Sequence, residues 1–289
     1  MTKVISTGDK NVWFITGCSS GFGRAISLAA LEHGDIVVAT ARDKSAIQDL
    51  ADKGAITYAV DVTADDATLK TVMDSVIAQT GKINILVNNA GYVLGGGVEE
   101  CSREQVAATF DTNVFGQLNV LRAVLPHIRR EKKGAVAFMG STSSHRGVPG
   151  GGLYSATKAA CSVLAEALAG EVAHLGIKVT AIEPGYFRTD GFSENRLELA
   201  EPIDELQPAI APTHNLVRGM HQRQPGDPTK AAKLIVEALT GTGRCEGLEL
   251  PQRLVIGPVA YHLLGEDMDR LRASMDKWAS IATTTDFDT

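Results

Sequence analysis

No stretch of this chain stays apolar for the roughly 20 residues that crossing a bilayer requires. The opening residues MTKVISTGDK hold no apolar core of a secretory leader. Both absences lead to the expectation of a cytoplasmic protein with no membrane span. Basic charge is also scarce: 28 Lys and Arg stand against 34 Asp and Glu, a net charge of −6. Without a basic block interleaved with aromatics, nucleic acid is not an expected partner. The four cysteines, Cys18, Cys101, Cys161 and Cys245, lie far apart and form no CxxC pair. The seven histidines are scattered, with no HExxH spacing. The expectation is reduced thiols and no metal site.

What the chain does have is alternation. Short apolar runs at Val12–Thr16, Ile36–Thr40, Ile56–Val60, Ile85–Val87, Ala135–Met139, Val179–Ile182 and Leu254–Ile256 read as strands. Several are apolar throughout, as strands covered on both faces are. Between them, helices are expected at about 22–33, 44–52, 65–80, 103–130, 154–175 and 228–240, with Gly34 and Gly176 as C-terminal caps. This βαβ repetition predicts an α/β fold, a Rossmann-like doubly wound parallel sheet of about seven strands. The 289 residues fit one large domain or two small ones, and no low-complexity linker divides them. One segment, 188–226, breaks the alternation; it carries Pro202, Pro208, Pro212 and Pro225 and is too long for a plain connection. After Pro258 an amphipathic helix is expected at Asp267–Ile281, then a polar, frayed end.

Two local patterns carry chemistry. In VWFITGCSSGFGRAI, glycines at 17, 21 and 23 join a strand to a helix. Glycines allow a sharp turn and close approach of backbone to ligand, and the helix start offers free N–H groups and a positive dipole end to a phosphate. In YSATK, Tyr154 and Lys158 stand four apart and share one helix face. A free phenol holds its proton until about pH 10, so acid–base work near neutrality needs about 4 kcal/mol of help. An ammonium about 5 Å away, at an effective dielectric of about 20, supplies about 3 kcal/mol. Alone, such a pair is usually surface decoration and a serine cluster a turn, while for a three-glycine loop a tight turn without ligand is the lesser reading.

Together and in order, these patterns resemble the short-chain dehydrogenase/reductase family. The loop reads TGxxxGxG (Thr16, Gly17, Gly21, Gly23); NNAG (Asn88–Gly91), NVFG with Asn113, GSTSS, YSATK and PGYFRT (Pro184–Thr189) follow. The resemblance covers about residues 10–260 and implies one domain over 1–289, with 188–226 as a substrate lid and 258–289 as a C-terminal extension. It implies Tyr154 as general acid/base and Lys158 as its cation. Ser141, thirteen positions before Tyr154, would hold the substrate oxygen, with Ser143 as the alternative, and Asn113 would help hold a water beside the lysine. Thr157 stands where the family usually has serine. The implied cofactor surface comprises Thr16, Gly17, Ser19, Ser20, Gly21, Phe22, Gly23, Arg42, Asp61, Val62, Asn89, Ala90, Gly91, Pro184, Gly185, Phe187 and Thr189, together with Tyr154 and Lys158. Pro184–Gly185 reads as a rigid turn. At the end of the second strand, where an acid would bind the ribose of NAD, Ala41 is followed by Arg42, whose guanidinium suits a 2′-phosphate. The expected cofactor is therefore NADP(H) ahead of NAD(H); Asp43 lies one step too far for the NAD role. Asp61 doubles as a strand-end helix cap.

The lid's Phe192, Leu197, Leu199, Ile203, Leu206, Ile210, Leu216, Val217 and Met220 suit a fairly apolar carbonyl or alcohol substrate, or else pack the lid onto the core. Gly95–Gly97 would form the opposite rim. The resemblance also implies a homodimer or homotetramer through the helices at 103–130 and 154–175. The expected activity is NADP(H)-dependent carbonyl–alcohol interconversion. The alternatives are a non-redox relative, such as an epimerase or dehydratase, and a dinucleotide sensor without turnover.

Overall fold

Strands that are apolar on both faces must be covered on both faces, and the computed structural model, which describes residues 7–189 and 197–287, meets that demand. Among the described residues, β1 (Val12–Ile15), β2 (Ile36–Ala41), β3 (Ile56–Ala59), β4 (Ile85–Asn88), β6 (Gly134–Met139), β7 (Ile177–Pro184) and β9 (Arg253–Ile256) form one parallel sheet in the order β3-β2-β1-β4-β6-β7-β9. The short β5 (Val93–Gly95) and β8 (Leu197–Leu199) pair separately. Alternate residues feed opposite cores. Trp13 and Ile15 of β1 point into a cluster with Ile26, Ile235 and Leu239, under α1 (Gly21–Glu32) and α8 (Pro228–Thr240). Val12 and Phe14 join Leu86, Val124, Ile128 and Leu168 on the other face, under α3 (Asp66–Thr80), α5 (Gly116–Glu131) and α6 (Gly152–Val172). The strand order reverses between β1 and β4, and the carboxyl ends of strands at such a switch point are where doubly wound sheets bind ligands.

The helices start where capping chemistry allows. Asp65, Ser102 and Asp227 accept backbone N–H bonds at the starts of α3, α4 (Arg103–Phe110) and α8. Gly34 (φ +94°) and Gly176 (φ +70°) take the left-handed conformation expected after a helix.

Several elements differ from expectation. The region 44–52 is a 3₁₀ turn (Lys44–Ile47) followed by the short α2 (Gln48–Asp52). The helix expected at 103–130 is divided by a π-turn at Asp111–Phe115, which α4 and α5 flank. β7 runs on through Pro184, paired with Ile256, so Pro184–Gly185 ends a strand rather than forming a separate turn. α6 begins two residues before Tyr154. Within 188–226, β8 and α7 (Gln207–Met220) are ordered elements, and β8 joins β5 in parallel across a gap that local periodicity does not span. Phe192 lies outside the described residues. The last helix, α9 (Pro258–Ala282), starts nine residues earlier than the expected Asp267, because Pro258 suits a first helical turn. No described helix is long and apolar enough to cross a membrane.

Candidate active site

The glycine loop is shaped by its neighbours. Gly17 (φ +68°) and Gly21 (φ +56°) adopt a backbone that side chains resist. A Cβ on Gly17 would lie 2.9 Å from the Ala90 Cα, and one on Gly23 would lie 2.4 Å from Asn89 Nδ2 and 2.5 Å from the Gly17 oxygen. The NNAG turn braces this loop directly. Asn89 Nδ2 donates to the Thr16 and Gly17 carbonyls (2.8 and 3.1 Å), while the N–H groups of Asn89 and Ala90 donate to Thr16 Oγ1 (2.9 and 3.0 Å). Ser20 stands at the N-cap of α1 without a side-chain cap bond, and no acid occupies the first turn. The free helix-start N–H groups and the side-chain-free cradle fit a pyrophosphate. Phe22 packs edge-on against Phe187, with centroids 5.3 Å apart. Thr189 stands beside Gly21, its Cβ 3.7 Å from where a Cβ on that glycine would lie. Ser19 belongs to the same loop.

At the end of β2, Arg42 is exposed. Among the described residues no ion pair engages it. Asp43 is committed elsewhere: its carboxylate accepts from the Ser45 N–H and hydroxyl (2.8 Å each) and caps the 3₁₀ turn, and these bonds hold it below the usual carboxylate range. Asp61 accepts from the Thr63 N–H (2.9 Å) and hydroxyl (2.8 Å), but it does not cap α3; Asp65 does. Val62 is buried, its carbonyl taken by Asn119.

The four expected catalytic residues converge from three parts of the fold: α6, the turn after β6 and the π-turn. Tyr154 sits in the first turn of α6. Lys158, 5% exposed, lies with Nζ 5.8 Å from the Tyr154 ring centre and donates to the Met139 carbonyl at the end of β6 (2.7 Å). Ser141 follows β6; its Oγ accepts from the Ser143 N–H (3.0 Å), which leaves its own hydrogen to donate. Asn113, fully buried in the π-turn, is held by Tyr92 on both amide atoms (3.0 and 2.9 Å) and by Thr157 Oγ1 (3.2 Å). Thr157 thus uses its hydroxyl as a strut. Gly91 lies between these groups: a Cβ there would approach Asn113 Oδ1 to 2.9 Å and Lys158 Nζ to 3.7 Å. Cys161 donates its thiol to the Asn113 carbonyl (3.1 Å), and burial pushes that thiol up. Cys18, also buried, is pushed up to about 11. Neither thiol is a nucleophile in this setting. No metal-binding cluster occurs among the described residues.

Sequence reading missed a charged cluster behind the serine turn. Glu183, 1% exposed at its side chain, accepts from Ser162 Oγ (2.7 Å) and Arg253 (3.2 Å) and meets His145 Nε2 at 2.7 Å. With its hydrogen committed to Glu183, Ser162 Oγ accepts from the Ser144 hydroxyl (3.0 Å), whose oxygen in turn accepts from the Ser141 N–H (3.2 Å). Arg253 reaches on to Glu166 and holds that carboxyl below its usual range. The one signal in the sequence is an acid inside the apolar run VTAIEP. Glu100 was missed as well. It ties the segment expected as a lid to the Gly95–Gly97 rim, accepting from the Gly97 N–H (2.6 Å), the Ile203 N–H (2.9 Å) and Gln207 Nε2 (2.6 Å). Of the apolar residues in that segment, Ile210 is buried, whereas Leu199 and Leu216 are exposed.

A family model described as short chain dehydrogenase matches residues 11–200. Oxidoreductase BOA17 of Botryotinia fuckeliana is 34% identical over 94% of this chain and 97% of its own. The 3-ketodihydrosphingosine reductase of Bacteroides thetaiotaomicron is 36% identical over 63% of this chain and 65% of its own. A solved short-chain dehydrogenase from Streptomyces avermitilis superposes with a TM-score of 0.87 at 38% identity, covering 97% of this chain and 100% of that one.

Proposed function

This chain belongs to the short-chain dehydrogenase family of oxidoreductases, and from that premise we propose that it interconverts a carbonyl compound and an alcohol, with NADP(H) as redox partner and Tyr154 as general acid/base. The observation that carries the reading is the buried Lys158 ammonium, 5.8 Å from the centre of the Tyr154 ring. A negative charge centred on the ring would gain about 3 kcal/mol from that cation at an effective dielectric of about 20, on the order of a hundredfold in rate.

Each residue then has a role. Thr16, Gly17, Ser19, Ser20, Gly21, Phe22 and Gly23 would cradle the pyrophosphate, braced by Asn89, Ala90 and Gly91. Arg42 would take the 2′-phosphate, a role supported by its exposure and by the commitment of Asp43 to Ser45. Asp61 and Val62 would flank the adenine; Pro184, Gly185, Phe187 and Thr189 would flank the nicotinamide. When bound there, the dinucleotide supplies or accepts hydride at the substrate carbon. In reduction the Tyr154 hydroxyl gives its proton to the carbonyl oxygen; in oxidation it takes the proton back. Ser141 donates a hydrogen bond to the same oxygen, and its preference over Ser143 is supported by the bond it accepts from the Ser143 N–H. Asn113 and Thr157 fix the lysine's surroundings. The segment 188–226 is the substrate lid, and its Leu197, Leu199 and Ile210 favour a fairly apolar, small to mid-sized substrate. The Bacteroides thetaiotaomicron relative is named as a reductase of a keto compound, 3-ketodihydrosphingosine.

The test is a panel of ketones, aldehydes and alcohols followed by NADPH absorbance and product mass. A product two hydrogens heavier than its ketone is expected. Tyr154→Phe should abolish turnover and leave NADPH binding intact; unchanged turnover refutes the acid assignment.

A further inference from the structure

α9 is 25 residues long, about 38 Å, yet it buries only Ala260 and Asp267, and every residue from Met268 to Ala282 is exposed. A helical arm that packs against nothing is marginal on propensity alone, because most helical stability in proteins comes from packing an apolar face. This arm has such a face. Tyr261, Leu264, Met268, Leu271, Met275 and Trp278 succeed one another in steps of three and four, a repeat of seven. Tyr261, Met268, Leu271, Met275 and Trp278 are each between 59 and 68% exposed. A seven-residue repeat keeps its seam against a partner only when that partner is another helix winding with it.

We propose that a second copy of this chain covers the seam, α9 against α9 across a two-fold axis. Charge distinguishes this occupant from a lipid surface. The helix carries Glu266, Asp267, Asp269 and Asp276 against Arg270, Arg272 and Lys277, so it has no basic face for headgroups. Along its flanks Arg272 pairs with Asp276 (3.1 Å) and Arg270 with Asp267 within one chain, so no block of like charge faces a second copy. The base of the arm is fixed. Asp267 is held by Arg270 and by Arg146 (3.5 Å), and Arg146 follows the serine turn closely. The seam is therefore presented at a set angle from the body, as a self-complementary surface requires.

The experiment is sedimentation velocity on the full chain over a wide concentration range, compared with Leu271→Lys/Met275→Lys and with Met275→Lys alone. These positions are exposed, so near-UV circular dichroism, melting temperature and NADPH binding should match the wild type. The wild type is expected as a multiple of the chain mass and the double variant at half that mass, with the single variant dissociating at concentrations at least tenfold higher than the wild type. A monomeric wild type overturns the proposal, as does a double variant of unchanged mass, which places the interface elsewhere. A monomer that cosediments with vesicles of phosphatidylcholine and phosphatidylglycerol also overturns it, with lipid as the cover.

Discussion

Replacing Gly23 by alanine adds one methyl group where the loop has no space. Its carbon would stand 2.4 Å from Asn89 Nδ2 and 2.5 Å from the Gly17 oxygen. A flexible side chain could swing away, but the Gly17 oxygen is backbone and moves only with the loop. Relief means displacing Asn89, and with it two hydrogen bonds, to the Thr16 and Gly17 carbonyls. At about 1 kcal/mol for each bond and about 1–3 kcal/mol for overpacking, the cost is about 3–5 kcal/mol. If half of it falls on the dinucleotide-binding geometry, cofactor affinity drops by at least tenfold, and the rest lowers the melting temperature by roughly 2–4 °C. Calorimetric titration with NADPH and a thermal melt measure both. Gly170→Ala is the control, because nothing lies within 4 Å of a Cβ there and an alanine inside α6 should be neutral or stabilise by about 0.5–1 kcal/mol. NADPH affinity within threefold of wild type in Gly23→Ala, at unchanged melting temperature, refutes the cradle.

Other perturbations test other parts. If Arg42 holds a 2′-phosphate as proposed, Arg42→Asp would remove those charge-assisted bonds and add repulsion, so the NADPH-to-NADH ratio of kcat/KM should fall by about a hundredfold or more; an unmoved ratio refutes the reading of the end of β2. Glu183→Gln leaves Arg253 and His145 without their buried anion, and about 3 kcal/mol of stability should be lost, seen as a melting temperature lower by roughly 5 °C while NADPH affinity stays near wild type. Acid should loosen the fold in a definite direction. Backbone N–H bonds from Ile203 and Gly97 hold Glu100 below the usual carboxylate range, and Arg253 does the same for Glu166. Their folded-state values are depressed, so their stabilisation is complete above the ordinary carboxylate value and is lost as pH falls below it. The melting temperature should therefore be flat from neutrality to about pH 5 and fall below about pH 4, and less steeply in Glu100→Gln.

The sequence by itself determined the alternation of strands and helices, the glycine loop and the Tyr154–Lys158 pair. All are local: burial on both faces is written in runs of a few residues, φ-positive turns call for glycine, and positions i and i+4 of any helix share a face. It also placed Arg42 at the end of β2, because strand and loop lengths there are short. Tertiary structure alone decided the rest. Glu183, His145 and Arg253 meet across as many as 108 residues of chain, Glu100 reaches Gln207 across 107, and β5 finds β8 through pairing that three-residue strands do not announce. The π-turn that divides α4 from α5 is another such decision, for there the backbone makes room so that Asn113 can be held by Tyr92 and Thr157 from two other elements. Hydrogen-bond partners that distant in sequence leave no periodic trace, and only the folded sheet with its packed helices brings them within reach of one another.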